Sequence, residues 1–137
     1  MSEKLIYAEL MTGYFHNGPA WIGFAKSSKS GKTLYFNGMA LKRGADGYRA
    51  NYWDLLSGNA YWVSGVKKRG TNRHTFGNGT IIIEKRAVAA FLKHVNLADL
   101  PKGLSVETLL PAAPQPEFHK RENLPLEQWL GQRRFLS

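Results

Sequence analysis

The stretch from residue 51 to residue 66 constrains the fold more than any other part of the chain. Two runs rich in aromatic and β-branched side chains flank Ser57-Gly58-Asn59. Large or branched side chains suit a pleated, half-buried surface, whereas Ser, Gly and Asn tolerate a tight turn. The stretch therefore predicts a β-hairpin. With a two-residue loop at Ser57-Gly58, Trp53 would face Trp62 and Asp54 would face Tyr61, and a three-residue loop would shift the partners by one residue.

Further stretches of the same character lie on both sides of this hairpin, and glycines and short polar residues separate them. They are 21–25, 33–36, 39–43 and 80–85. About five short strands punctuated by glycine are typical of a small, strongly bent barrel of SH3-like or OB-like type. We therefore expect a mainly β fold with some helix (α+β). Gly23, in the middle of a predicted strand, indicates a bulge or a close crossing.

The hydrophobic period changes after the last predicted strand. Apolar side chains recur at i, i+3, i+4 and i+7, at Val88, Phe91, Leu92 and Val95. This spacing predicts a helix with one apolar face, which we expect to pack on an open end of the barrel.

Four prolines between residues 101 and 116 indicate an extended linker, and a short tail helix is predicted beyond it. Leu126, Trp129 and Leu130 give this helix a small apolar face that can dock on its own barrel or on a partner protein. The length of the linker favours the partner. We expect an N-terminal segment (1–17, a brief helix or an edge strand), a barrel domain with its packing helix (18–100), and the linker with its tail helix (101–137).

Positive charge is concentrated in the predicted barrel. The chain of 137 residues has a formal net charge of +9, and residues 18–86 alone hold twelve Lys or Arg against three Asp or Glu. The rest of the chain is therefore neutral overall. A basic unit with interleaved aromatic residues favours a polyanionic partner.

The basic segment that follows the hairpin provides the best candidates for phosphate contacts, with support from cations earlier in the barrel. The candidates are Lys67, Lys68, Arg69, Arg73 and His74, supported by Lys29, Lys32, Lys42 and Arg43. Lys and Arg neutralise backbone phosphates, and Gly70 would let the segment approach a ligand closely. Trp53, Tyr61 and Trp62 would be stacking platforms for bases if they face outward, although a domain this small needs most such rings in its core.

Several kinds of chemistry find little support in the sequence. Ser30-Gly31-Lys32-Thr33 ends like a phosphate-binding P-loop, but a strand and not a helix is predicted to follow it. The chain has no cysteine, and its four histidines have no paired spacing, so neither a metal site nor a cofactor is predicted. His74 beside Arg73 is the one candidate for a catalytic base, as in a metal-free nuclease.

Three strings of residues carry a resemblance. Gly18–Gly23, Ser28–Phe36 and Tyr61–Lys68, together with Arg73-His74, resemble a group of short bacterial proteins that often carry the label 1-deoxy-D-xylulose-5-phosphate synthase. The true synthase is several times longer and binds thiamine diphosphate through a Gly-Asp-Gly motif, which this chain lacks. The resemblance, over residues 18–86, therefore implies a family and no activity.

These observations predict a small, non-enzymatic basic module that binds nucleic acid or another polyanion. The alternative is a protein-interaction module, such as an inhibitor, immunity or adaptor protein, that binds an acidic partner and uses its tail helix as an anchor. The first residues lack the basic and apolar regions of a signal peptide, and no apolar run is long enough to span a membrane. We therefore expect a cytoplasmic protein with no membrane partner.

Overall fold

A computed structural model describes residues 3–11, 19–44, 50–67, 80–115 and Phe118. Within these residues the chain forms eight strands, one turn of 3-10 helix and one α-helix. In chain order they are β1 (Glu3–Leu10), β2 (Ala20–Ser27), β3 (Thr33–Phe36), β4 (Met39–Arg43), β5 (Tyr52–Asp54), β6 (Ala60–Gly65), β7 (Ile81–Glu84), the 3-10 turn (Lys85–Ala87), α1 (Val88–Val95) and β8 (Leu104–Glu107).

The first six strands close into an antiparallel barrel. Each strand pairs with the next one along the chain, from β1 to β6, and β6 then pairs with β1. Closing the ring gives every one of these strands a neighbour on both sides. The prediction of a mainly β chain with a small β-barrel is confirmed, but six strands form the barrel where about five were predicted.

Alternate side chains of the six strands fill the barrel. Successive residues of a strand point to opposite faces, so every second residue of each strand reaches the interior. The buried interior residues are Ile6, Ala8, Ala25, Leu34, Phe36, Leu41, Tyr61 and Val63, and Tyr52 of β5 packs against them. The interior is thus a packed hydrophobic core.

A second hydrophobic layer covers one side of the barrel wall. β7 runs parallel to the first half of β2, and β8 runs parallel to β7. The predicted apolar face of α1 is confirmed, because Phe91 is buried and its apolar neighbours pack on the cluster that contains Tyr7 and Ile22. These two residues alternate with interior ones, so α1 covers the outside of the wall and not an open end. His94 Nε2 donates a hydrogen bond to the Val66 carbonyl oxygen at 2.8 Å.

Two of the observed strands, β1 and β8, differ from what the sequence predicted. β1 lies in the segment for which a brief helix or an edge strand was expected, and it is a strand paired on both sides. Its side chains are buried on both faces from Ile6 to Glu9, so the sequence shows no alternation of polar and apolar residues. β8 has four residues within the predicted linker, too few for a periodic signal. No helix in the described part of the chain is long and apolar enough to cross a membrane.

The predicted hairpin is present as β5 and β6, but its register differs from both predicted versions. Trp53 faces Ala60 and not Trp62, and Tyr52 faces Tyr61. The loop is longer than two or three residues because Asp54 organises it. The Asp54 carboxylate accepts hydrogen bonds from Leu56 N at 3.0 Å and from the Ser57 hydroxyl at 2.8 Å. An aspartate bonded to the backbone two residues ahead stabilises such a turn.

The stretch that follows β8 runs against the barrel. Asn37 and Gly38 both have positive φ and form the tight turn between β3 and β4. The Asn37 side chain accepts a hydrogen bond from Leu110 N at 3.0 Å, and Gly38 N donates to the Pro111 carbonyl at 3.2 Å. The stretch predicted as a linker therefore contacts the β3–β4 turn over these residues.

Candidate nucleic-acid interface at one end of the barrel

The antiparallel order of the strands brings alternate connections to the same end of the barrel. β2 ends and β3 begins at this end, and Glu3 at the start of β1 lies opposite Lys26. The end of β4 lies at the same level, because Arg43 N donates to the Lys32 carbonyl at 2.8 Å. β6 also ends here, since Gly65 lies opposite Ile6 of β1. We call this the basic end: the start of β1, residues 26–32, the end of β4 with Gly44, and Val66 and Lys67.

The structure brings together five of the predicted contact residues at the basic end. They are Lys29, Lys32, Lys42, Arg43 and Lys67, of which Lys42 is half-buried and the other four are exposed. The other four predicted residues, Lys68, Arg69, Arg73 and His74, lie outside the described residues. The same holds for Leu126, Trp129 and Leu130 of the predicted tail helix. Their roles stay predictions.

The connection between β2 and β3 is a closed hairpin loop with two exposed lysines. Ser28 holds it together: its N–H donates to the Thr33 carbonyl at 2.8 Å, and its hydroxyl accepts from Thr33 N at 3.2 Å. Gly31, with φ of +76°, supplies the left-handed residue that reverses the chain. Strand β3 then begins directly at Thr33. No helix start follows the glycine, as expected from the sequence, so the loop does not have P-loop geometry.

Three cations of the basic end have no acidic neighbour in the described part of the chain. No described carboxylate lies within ion-pair distance of Lys29, Lys32 or Arg43. Lys32 and Arg43 are also adjacent, because the ladder of β3 and β4 pairs Thr33 with Lys42. Positive charges held side by side on a folded surface repel each other, and an anion that binds between them relieves this repulsion.

The connections at the opposite end of the barrel differ in charge from those at the basic end. The residues between β1 and β2 (11–19), the β3–β4 turn at Asn37-Gly38 and the β5–β6 loop (55–59) contain no Lys or Arg. The last loop instead begins next to Asp54, which is buried. The barrel is therefore polarised, with basic connections at one end and neutral ones at the other.

A polar network anchors the basic end to the second layer. β2 pairs with β7 over its first half and with β3 only near its end, and Glu84 fills the gap between them. Its Oε1 atom accepts a hydrogen bond from Phe24 N at 2.9 Å, and its Oε2 atom accepts one from Arg86 Nε at 3.0 Å. Gly23 permits this contact, because a Cβ atom there would lie 2.9 Å from Glu84 Oε1. Of the two alternatives expected at Gly23, the structure shows no bulge, since the register with β1 is unbroken, and a close approach of the Glu84 side chain.

Arg86 continues the network outward to the start of β1. Its Nη1 atom donates to Glu3 Oε2 at 3.2 Å, and its guanidinium carbon lies 5.3 Å from the centre of the Phe24 ring. The hydrogen bond to Glu84 raises the pKa of Arg86 above its ordinary value. Lys26 Nζ lies 3.7 Å from Glu3 Oε1, so the Glu3 carboxylate sits between two cations.

The aromatic residues proposed as stacking platforms are mostly in the core. Trp53 is 2% exposed and Tyr61 is 5% exposed, so neither presents a face to solvent. Trp62 is half-buried and packs on the second layer, and Trp21 is half-buried and packs on the barrel interior. The sequence favoured burial of Trp21 and of at least one of Trp53 and Trp62; Trp53 is buried, whereas Trp21 is only half-buried. The described surface thus offers charge and little stacking area.

Neither a known protein family, nor a protein of curated function, nor a solved structure matches the chain. Among the described side chains, no group of three His, Asp or Glu residues is placed to hold a metal ion.

The network of Glu3, Lys26, Glu84 and Arg86 was not predicted from the sequence. The residues that meet there are as much as 83 positions apart in the chain. Only the closed pairing of β1 with β2, and of β2 with β7, brings them together. One signal was present: Glu84 is a lone carboxylate at the end of an otherwise apolar strand, and a buried carboxylate requires partners.

Proposed function

We propose that the basic end of the barrel binds a polyanion, that nucleic acid is the partner its chemistry fits best, and that the protein catalyses no reaction on it. The observation that carries this proposal is the segregation of charge. The basic connections lie together at one end, and the opposite barrel connections hold no Lys or Arg. Basic residues that served only solubility would be spread over the whole surface and not collected at one end of the barrel.

The form of the site favours contacts to phosphates over contacts to bases. Lys29 and Lys32 sit on an exposed hairpin loop, and long, flexible side chains of this kind follow a charged backbone. Trp53 and Tyr61, which would have stacked on bases, are buried. We therefore expect binding with little sequence preference and with a strong dependence on salt.

The experiment that tests the proposal measures binding of a fluorescein-labelled 20-base-pair DNA duplex and the matching RNA by anisotropy, over a series of salt concentrations. About four phosphate contacts give a slope of log affinity against log salt of about −3 to −4. A variant with Lys29→Gln and Lys32→Gln should lower the magnitude of this slope by about 2.

The matched control is the variant with Lys93→Gln and Lys102→Gln, which removes the same charge from exposed positions on α1 and before β8. Its slope should stay close to that of the unmodified protein. If both double variants change the slope equally, net charge and not the basic end determines binding. If the unmodified protein binds neither nucleic acid at low salt, the alternative of an acidic protein partner, anchored by Leu126, Trp129 and Leu130, takes its place.

The enzymatic alternative has its own test. A nuclease centred on His74 would lose cleavage in the His74→Ala variant and keep its affinity, because proton transfer and binding are separable. We propose that the purified protein cleaves neither DNA nor RNA, and turnover that disappears in this variant would contradict that. The SH3-like or OB-like character of the barrel and the cytoplasmic location stay predictions.

A further inference from the structure

The Glu3 carboxylate occupies a position at the basic end where an anion is held by two cations. Arg86 Nη1 donates to both of its oxygens, at 3.2 Å and 3.5 Å, and Lys26 Nζ lies 3.7 Å from Oε1. The three residues come from β1, β2 and the 3-10 turn. The site therefore exists only in the folded barrel.

The Arg86 guanidinium is held in place by contacts that do not involve Glu3. Its Nε atom donates to the buried carboxylate of Glu84, and its plane lies over the Phe24 ring. Its side chain is nevertheless 54% exposed. An arginine fixed by a second carboxylate and an aromatic ring, with half of its side chain exposed, is arranged in advance to donate to an anion.

The site is continuous with the rest of the basic end. Lys26 lies near the end of strand β2, just before the hairpin loop, three residues from Lys29 and six from Lys32. The described carboxylates that contact Lys26 or Arg86 are Glu3 and Glu84; Glu107 lies opposite Glu84 on β8. Glu84 is buried, and Glu3 is 29% exposed at its side chain. Glu3 is thus the acidic group that a bound polyanion would meet.

We propose that Lys26 and Arg86 form a phosphate-binding site whose place is taken by the Glu3 carboxylate in the free protein, so that a phosphate of the bound polyanion displaces Glu3. This inference rests on the proposed function of the basic end. The ion pairs of Glu3 are solvent-exposed, and such pairs are weak. A backbone phosphate presents two charged oxygens, as the carboxylate does, and accepts the same paired hydrogen bonds from arginine, while its neighbouring phosphates contact the other cations of the basic end.

The exchange of one anion for another has a measurable consequence for salt dependence. In the unmodified protein, Lys26 and Arg86 pass from Glu3 to phosphate, so they contribute little to the change in ion pairing on binding. In the Glu3→Gln variant both cations are exposed to solvent in the free protein, and the phosphate replaces mobile ions. The slope of log affinity against log salt should then become steeper by about 1 to 2.

The test uses the same labelled DNA duplex with the full-length protein. Glu3→Gln should tighten binding about threefold to tenfold at low salt, since an internal competitor is removed. The matched control is Glu107→Gln, which removes one negative charge from an exposed position on β8. It should tighten binding by less and leave the slope unchanged. Adding Lys26→Gln to the Glu3→Gln variant should remove most of the gain, and Lys26 has no other described polar contact that this change would break.

The outcomes separate this inference from the proposed function. If the unmodified protein binds the duplex and Glu3→Gln behaves like Glu107→Gln in affinity and slope, the inference is wrong and the proposed function stands. If no variant binds either nucleic acid at low salt, both are wrong. If Glu3→Gln gains affinity and steepens the slope, and the added Lys26→Gln reverses this, the site is established. Thermal melting of each variant shows that the comparison is made between folded proteins.

Discussion

The ring of Phe118 stacks on the ring of Tyr35, with the ring centres 6.3 Å apart and the planes inclined by 22°. Phe118 is fully buried, and Ala40 and Leu55 complete the cluster around it. Since Tyr35 is on the barrel wall, Phe118 attaches the stretch after β8 to the barrel. The β3–β4 turn provides a second attachment, at Leu110 and Pro111.

Truncation after residue 110 should therefore destabilise the protein. It removes Phe118 and uncovers Tyr35, and loss of a fully buried Phe side chain costs about 3 to 5 kcal/mol. For a chain of this size the melting temperature should fall by roughly 10 °C or more. Circular dichroism melting measures this directly.

A second truncation, after residue 120, provides the control. It keeps Phe118 and removes Leu126, Trp129 and Leu130. If the tail helix serves a partner, as the length of the predicted linker favours, this shorter protein should melt close to the full chain. A melting temperature as low as that of the first truncation would show instead that the apolar face of the tail contributes to the stability of the barrel.

Asn51 is expected to contribute to the stability of the fold through two hydrogen bonds of its side chain. Its side-chain Oδ1 atom accepts from Val63 N, and its Nδ2 atom donates to the Val63 carbonyl, both at 2.7 Å. The Asn51 side-chain amide therefore supplies hydrogen bonds to β6 just before β5 begins. Asn51→Ala should lower the free energy of unfolding by roughly 1 to 3 kcal/mol, because both backbone groups lose their partner.

Asn51→Asp distinguishes the two bonds. The carboxylate still accepts from Val63 N, but it cannot donate to the Val63 carbonyl and places a negative charge against it. We expect this variant to be at least as destabilised as Asn51→Ala at neutral pH. Asn59→Ala, at an exposed position in the adjacent loop, is the control and should change stability little. Chemical denaturation of the four proteins makes the comparison.

Gly31 and Gly38 both have positive φ but differ in their surroundings. A Cβ atom on Gly31 meets nothing within 4 Å, whereas one on Gly38 lies 2.8 Å from Leu110 Cδ1. Gly31→Ala should therefore cost only the backbone strain of a left-handed residue, about 1 to 2 kcal/mol. Gly38→Ala should cost more than that, since Leu110 must also move.

The double variant Gly38→Ala with Leu110→Ala tests the cause. Leu110 is 63% exposed, so its own truncation should cost little. The double variant removes the contact with Leu110 Cδ1 but keeps the Leu110 Cβ atom, 3.1 Å from the added Cβ atom, so it should be less destabilised than Gly38→Ala and somewhat more than Gly31→Ala. If it remains as unstable as Gly38→Ala alone, contact with the stretch after β8 is not the reason for the difference.

Stability should fall at alkaline pH through Tyr61. Burial, and secondarily the negative charge of Asp54, raises the pKa of Tyr61 to about 12 from its ordinary value of 10.0. The unfolded chain therefore loses its proton first as the pH rises. Below pH 10 the Tyr61 hydroxyl keeps its proton in both the folded and the unfolded state. Between about pH 10 and pH 12 it keeps the proton in a larger fraction of folded than of unfolded molecules, so the free energy of unfolding decreases as the pH rises through this window.

Urea denaturation at pH 8, 10 and 11 measures this decrease, and comparison with Tyr61→Phe isolates the contribution of one tyrosine. The variant should have a shallower fall above pH 10 than the unmodified protein. Asp54→Asn should reduce the fall only in part, because burial is the larger cause of the shift. Equal pH profiles for the unmodified protein and Tyr61→Phe would contradict the prediction.

Local chemistry made several parts of this fold predictable from the sequence. Asn37-Gly38 favours positive φ at both positions, and the tight turn forms there. The apolar period from Val88 to Val95 predicts the helix face that packs on the second layer. The basic residues of 26–32 and 42–43 are visible in the sequence as charge, although not as one surface.

The tertiary structure decided what depends on closure. The sequence does not show that β1 joins β2 to β6, because β1 is buried on both faces and has no polar alternation. It does not show the hairpin register either, which depends on how the Asp54 carboxylate organises the loop. Closure depends on contacts between distant segments, beyond the reach of local propensity, whereas the register is set within the loop by contacts of Asp54 with the residues two and three positions ahead.

The sequence by itself therefore determined the kinds of element, since turn residues and hydrophobic period act through near neighbours, and it determined the excess of positive charge, which is a sum over residues. Only the tertiary structure decided that the cations of alternate connections meet at one end, because an antiparallel closed ring of six strands alternates its connections between two ends. It also placed Glu3 beside Lys26 and Arg86, where pairing between distant strands and not sequence spacing sets the distance.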